Sequence, residues 1–166
     1  YKALFNKYYR YNDHLFKNLS AVRDKINSSK DILKISNEIK DLEKEITIFH
    51  AQISNEIIEN SKLDIDFIGF HGQTIFHSVR ESISKQLGDG NLLSQLTKKK
   101  VIYNFRQNDL KNGGEGAPLA PIYHKLLVKK NMIKTPVTIL NIGGIANVTH
   151  IDNSYKMISF DIGPGN

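Results

Sequence analysis

The chain has 166 residues, 40% of them hydrophobic, no cysteine and a formal net charge of +6. That is enough chain for one domain with a sizeable core, and too apolar for a disordered segment. A disulfide framework and thiolate metal sites are excluded, and no run of roughly 18 apolar residues marks a membrane span.

The absence of cysteine fits a reducing cytoplasm. The opening Tyr1-Lys2-Ala3-Leu4-Phe5 lacks the small-residue cleavage pattern of a signal peptide. The sequence pI of about 9.4 permits anionic partners. The lysines are spread along the chain, however, with short clusters only at 98–100 and 129–130, and no ribonucleoprotein motif or zinc-finger spacing is present. A solvated Lys-rich surface is the better reading, with no nucleic acid and no membrane as partner. The lack of an initiator Met, and a stop at Asn166 directly after a turn, suggest an internal piece of a longer protein.

Residues 1–60 are predicted to form a helical segment packed on the rest of the chain. A first helix is expected from about Lys2 to Ile26, with Tyr8, Tyr9 and Tyr11 as packing residues. A second comes after the cap signal Ser28-Ser29-Lys30-Asp31. In it Ile32, Ile35, Ile39, Leu42, Ile46, Phe49, Ile53 and Ile57 make one unbroken stripe in steps of three and four. A coiled coil has similar spacing, but a long helix on a domain suits the α/β pattern that comes next.

From residue 61 to 166 the pattern is that of an α/β core. Asp66–Phe70 is a short strand ending in the turn His71-Gly72-Gln73-Thr74. Ser82–Leu87 alternates as a second strand, and Asn91–Lys99 is a short helix. Val101–Phe105 is a third strand, and 106–116 a polar, Gly-rich loop. Pro118–Lys129 reads as a helix with proline near its first turn. Val137–Ile142, Ala146–Ile151 and Tyr155–Asp161 are strands joined by tight turns. Helices that alternate with strands, followed by strands in succession, predict a mixed sheet with flanking helices.

In such a fold functional groups gather at strand ends. Gly143 and Gly144 follow an apolar run, and adjacent glycines at a strand end let backbone N–H groups approach a phosphate. Asp161, beside Gly163-Pro164-Gly165, is placed like a catalytic base at a strand tip. The plain alternative is two hairpin turns and a solvated Asp. His71, Gly72, Gln73 and Thr74 offer an imidazole, an amide and a hydroxyl for a sugar or phosphate. Their alternative is a turn with a capping His. Arg106, just past a strand, could clamp a carboxylate or phosphate, or simply pair with Asp109 or Glu115. The loop 113–118 lacks the Gly-Lys-Ser/Thr ending of a P-loop. The remaining histidines show no metal-ligand spacing, and there is no Gly-x-Ser-x-Gly elbow.

Six segments carry a resemblance. They are Phe70-His71-Gly72-Gln73-Thr74, Gly88-Asp89, Phe105-Arg106 with Asp109, Gly113-Gly114-Glu115-Gly116-Ala117-Pro118-Leu119, Asn141-Ile142-Gly143-Gly144-Ile145-Ala146-Asn147 and Phe160-Asp161-Ile162-Gly163-Pro164-Gly165-Asn166. In this order they resemble the anhydro-N-acetylmuramic acid kinases, over roughly residues 64–166. The resemblance implies the ribonuclease-H-like core of the acetate and sugar kinase, heat-shock chaperone and actin superfamily. It also implies a cytoplasmic enzyme of cell-wall recycling, commonly a homodimer, that turns 1,6-anhydro-N-acetylmuramic acid, ATP and water into N-acetylmuramic acid 6-phosphate and ADP. By the same resemblance Asp161 is the catalytic base. Gly143 and Gly144 form a phosphate turn facing ATP, and His71, Gly72, Gln73 and Arg106 belong to the sugar-facing cleft. Mg²⁺ would bridge the ATP phosphates. The family's first phosphate turn, Met-Ser-Gly-Thr-Ser-x-Asp-Gly, and its Gly-Gly-Gly adenosine segment do not occur in this chain. Asn104 stands where Asp is usual, and Ile162 where Thr or Cys is common. Two other readings stay open: another sugar kinase or ATPase of the superfamily, and a non-catalytic sugar-binding fragment.

Overall fold

A computed structural model describes residues 3–165. Lys2, the expected start of the first helix, and Asn166, the last residue of the second glycine-rich turn, lie outside the described residues. The chain divides into two compact units, the first ending at Gly114 and the second beginning at Glu115.

In the first unit the chain enters without regular structure and turns helical only at α1 (Asp13–Asp24). This corrects the expected start near residue 2. The cause is local: the Asn12 side chain accepts the Leu15 N–H at 2.8 Å, an N-cap that fixes where the helix begins. Upstream, Leu4, Phe5 and Tyr8 are exposed and make no buried stripe.

The long helix is also interrupted. A short α2 (Ser29–Lys34) precedes α3 (Ser36–Ser61), with Ile35 between them at φ −107°, ψ 26°. The Ser28 signal holds: its N–H and its hydroxyl both donate to the Asp31 carboxylate, at 3.0 and 2.8 Å. The apolar stripe survives the break because both pieces bury into one cluster. Leu15, Leu19, Val22, Ile39, Leu42 and Ile46 form its centre, and Ile32 and Ile35 pack at its edge.

Strand β1 (Phe67–Phe70) pairs in parallel with β4 (Lys100–Tyr103), the connection running through a hairpin and helix α4 (Gly90–Thr97). The hairpin consists of β2 (Gln73–Ser78) and β3 (Ile83–Leu87). Residues 73 and 74, read as part of a turn, therefore open a strand. Its alternation is hidden by a bulge at Ile75, where the register shifts between Thr74 and Phe76. Ile75 and Leu87 fill the first cluster, while Ala51, Phe70 and Leu93 form a second one linking α3, β1 and α4.

The stretch 106–116 is not a loop throughout, because α5 spans Phe105–Lys111. Asn104 precedes it at φ 62°, a left-handed conformation that Asn tolerates better than most side chains.

The second unit has helix α6 (Ala120–Lys130), with Pro121 in its first turn, and three antiparallel strands, β5 (Val137–Ile142), β6 (Ile145–Ile151) and β7 (Met157–Pro164). Val128 and Ile151 are fully buried, and the His124 Nδ1 lies 2.9 Å from the Thr149 hydroxyl, which ties α6 to the sheet. The expected single mixed sheet is not formed. Among the described residues the strands make three small sheets, one parallel and two antiparallel. Tight turns permit only antiparallel pairing, and the one parallel pair has a crossover that contains a helix. No helix among the described residues is long and apolar enough to cross a membrane.

Candidate functional site

The sequence-derived site residues fall into two groups, one in each unit. In the second unit the two glycine-rich turns come together. Gly143 and Gly144 connect β5 to β6, and the Gly165 N–H donates to the Gly144 carbonyl at 3.1 Å. A Cβ at Gly165 would sit 1.9 Å from the Gly143 carbonyl oxygen, so only glycine permits this approach. Around Gly144, by contrast, a Cβ would find nothing within 4 Å. Gly144 is exposed, with its carbonyl already engaged by Gly165.

Asp161 lies inside β7, which continues to Pro164, and not at the strand tip as expected. Its partner across the strands is Asn147, which in turn pairs with Asn141. Asn141, Asn147 and Asp161 thus form one polar row on one face of the sheet, next to the Gly143-Gly144 turn. Beyond Asp161 the register slips, with Asn147 opposite Asp161 but Ala146 opposite Gly163, which leaves Ile162 as a bulge. Bulges of this kind re-aim side chains next to sites of chemistry. The Asp161 carboxylate is exposed.

In the first unit, β1, the hairpin and α5 enclose a cavity of about 570 Å³ that His71, Asp89, Asn104 and Gln107 help to line. Arg106 approaches His71, with its Nε 3.5 Å from Nε2. Burial, and then the nearby guanidinium, hold both His71 and His77 below the ordinary histidine value, which favours their neutral form. One wall carries Glu43, whose carboxylate pairs with Lys85 at 2.8 Å and accepts the Gly88 N–H at 3.2 Å.

Gln73 does not join this group. It lines a separate cavity of about 610 Å³, with Tyr11, Phe49 and His50. Gly72 has a steric role: at φ +68° its Cβ would lie 2.2 Å from the Leu87 carbonyl oxygen. The structure therefore unites His71 with Arg106, and Gly143 and Gly144 with Asp161, and places Gln73 elsewhere.

Sequence reasoning gave no role to Asn141, Asn147 or Gln107. For the two Asn the signal was present, since each flanks the Gly-Gly turn on a strand of period two. Gln107 sat in a segment read as loop and gave none.

An exposed carboxylate on the same small sheet as a glycine turn is chemistry that phosphoryl-transfer enzymes use, and so, separately, is the Arg106–His71 pair of the first unit. Comparison with known proteins agrees with this class. A family model described as "Anhydro-N-acetylmuramic acid kinase" matches residues 3–166. An anhydro-N-acetylmuramic acid kinase of Pelagibacter ubique is 57% identical over 168 residues, covering 100% of this chain and 45% of that protein. Those of Brucella canis and Methylobacterium nodulans are 41% and 43% identical over 77% of this chain, which is 36% and 35% of their own lengths. The chain belongs to the anhydro-N-acetylmuramic acid kinase family, and it spans less than half the length of these relatives.

Proposed function

We propose that this chain is the part of an anhydro-N-acetylmuramic acid kinase that carries the catalytic base and portions of the phosphate and sugar sites. The observation that carries the proposal is the convergence of Asp161 with the Gly143-Gly144 turn at one end of a three-stranded sheet, in a chain of this family. The reaction belongs to the family name that the relatives bear.

The chemistry rests on the capacities of these residues. Asp161 takes a proton from a water molecule, whose oxygen bonds to the anomeric carbon of the 1,6-anhydro sugar. The bond from that carbon to the bridging O6 breaks, and O6 receives the γ-phosphoryl group of ATP, leaving ADP. The proton on Asp161 later passes to solvent. An exposed carboxylate suits this role because water reaches it. The exposed glycine turn at Gly144 suits an anionic phosphate, and Arg106 beside His71 suits the carboxylate and hydroxyls of the sugar. Gly72 supports the proposed sugar-facing segment by holding its backbone turn.

Mg²⁺ bound with ATP offsets phosphate charge. In this reading residues 61–166 are a partial kinase core with the ribonuclease-H-like topology, and residues 1–60 are a helical segment packed on it. The complete protein works in the cytoplasm as a homodimer.

The test is mass spectrometry of the products that the full-length polypeptide forms from Mg-ATP and 1,6-anhydro-N-acetylmuramic acid in ¹⁸O-labelled water. A 6-phosphosugar labelled at the anomeric hydroxyl is expected. The Asp161→Asn variant should form none while keeping its melting temperature, because the side chain is exposed. Absence of product from the parent protein, or full turnover by the variant, overturns the assignment.

A further inference from the structure

β3 lies at the edge of a two-stranded sheet, so one row of its backbone groups has no strand partner. The side chain of Gln107, in the first turns of α5, occupies that edge. The Ser84 N–H donates to the Gln107 Oε1 at 2.9 Å, and the Gln107 Nε2 donates to the Ser82 carbonyl at 3.2 Å. The carboxamide thus bridges Ser82, the turn residue at φ 52° that precedes β3, and Ser84 within β3. It is the only side-chain type of this length that is neutral and offers both an acceptor and a donor.

The clip has a second consequence. Gln107 is adjacent in sequence to Arg106, and Ser84 pairs across the hairpin with His77, on the strand that leaves His71. Fixing Gln107 on the β3 edge fixes the start of α5 against the hairpin. The Arg106 side chain then stays within reach of His71, its Nε 3.5 Å from the His71 Nε2. Gln107 and His71 also line the same cavity of about 570 Å³.

We infer that Gln107 is a positioning residue: by clasping the Ser82 carbonyl in the hairpin turn and the Ser84 amide in β3 it aims the neighbouring Arg106 at the sugar. This inference rests on the sugar-kinase reading above, and the test separates the two. In the full-length polypeptide, Gln107→Leu removes both hydrogen bonds, whereas Gln107→Glu keeps the acceptor and loses the donor. Misplacing a substrate-orienting group by an ångström costs up to about 100-fold, so Gln107→Leu should raise the KM for the anhydro sugar roughly 10- to 100-fold, with Gln107→Glu intermediate. The KM for ATP should stay unchanged, and the melting temperature should fall by only a few degrees, as the loss of two hydrogen bonds dictates.

Two readouts do not depend on turnover. The Ser84 amide should exchange faster with solvent in Gln107→Leu but not in Gln107→Glu, and the Arg106 Nε–H resonance should shift in both. Unchanged sugar KM in both variants overturns the inference, as does a parallel loss of ATP affinity and thermal stability. If the parent protein turns over no anhydro sugar, the kinase reading falls. The clip is then judged on the two resonances alone, and an unmoved Arg106 signal refutes it.

Discussion

Gly72→Ala should unfold the β2–β3 hairpin region well before it affects any ligand. Two separate costs arise at this position. The backbone stands at φ +68°, and a non-glycine residue held in that region pays about 1–2 kcal/mol. A Cβ would also lie 2.2 Å from the Leu87 carbonyl oxygen, far inside contact distance and against backbone that cannot swing away. Relief requires the chain at Leu87 to move, yet the Leu87 side chain is fully buried in the main cluster. Losing the ladder pairing at that end adds about 1 kcal/mol, so the total is about 3 kcal/mol and the melting temperature falls by roughly 10 °C. Circular dichroism melts and urea unfolding followed by tyrosine fluorescence would measure it. Gly69→Ala is the matched control, because its Cβ meets nothing within 4 Å and its φ is not positive. Equal melting of the two variants, or an unshifted Gly72→Ala, refutes the steric argument. Lost activity in Gly72→Ala would then point to a direct role at the sugar.

Truncating a side chain at the centre of the core should cost more than changing an exposed one. Ile46 is 0% exposed, and Ile46→Ala should lower unfolding free energy by about 2–5 kcal/mol in urea titrations, whereas an unchanged midpoint would show that α3 is not packed as described. Acid should weaken the fold through its histidines. Burial lowers the pKa of His50, His71 and His77 below the ordinary value of 6.5, so below that pH the unfolded chain binds protons that the folded one refuses. Stability should therefore drop as pH falls from 7 toward 5, and His50→Gln should flatten part of that slope. Asp31 does not confuse the measurement: Lys34 and Ser28 hold its carboxyl down to about 2, so its contribution is intact throughout that window. A His50→Gln profile identical to the parent would remove His50 from the account.

Elements whose signal is local were legible in the sequence. The three closing strands, the cap at Ser28 and the short helix after Asp89 all follow from apolar period and capping chemistry, and all are present. The features that escaped depend on contacts distant in sequence. The Gln73–Ser78 strand exists because it pairs with 83–87, and its bulge spoils the alternation that would have announced it. Phe105–Lys111 becomes helical with Gln107 docked on a sheet edge, which no window of neighbouring residues reveals. From Ile32 to Phe49 the stripe did mark one packed face, while Ile53 and Ile57 line a cavity, and steps of three and four cannot show a single corner at Ile35. For the site, motif order brought out Gly143, Gly144, Asp161, His71 and Arg106, and the structure groups them by unit. Gln73 was grouped with His71 because the two are near in sequence, yet the cavities they line are different.

Helix α3 carries two polar residues, Glu43 and Thr47, in an otherwise apolar belt. Thr47 sends its hydroxyl proton back to the Glu43 carbonyl at 2.6 Å and receives the Asp89 N–H at 2.9 Å, while Glu43 receives the Gly88 N–H. Two consecutive amides, at the point where the hairpin hands over to α4, thus find their acceptors more than forty residues upstream. Cutting the polypeptide between α3 and β1 to isolate the strand-rich portion would strip those amides of their partners at the same stroke that bares Leu87 and Ile75. A minimal expressible version of this region has to begin upstream of Glu43, and the helical stretch is better regarded as the missing side of the hairpin than as a leader to it.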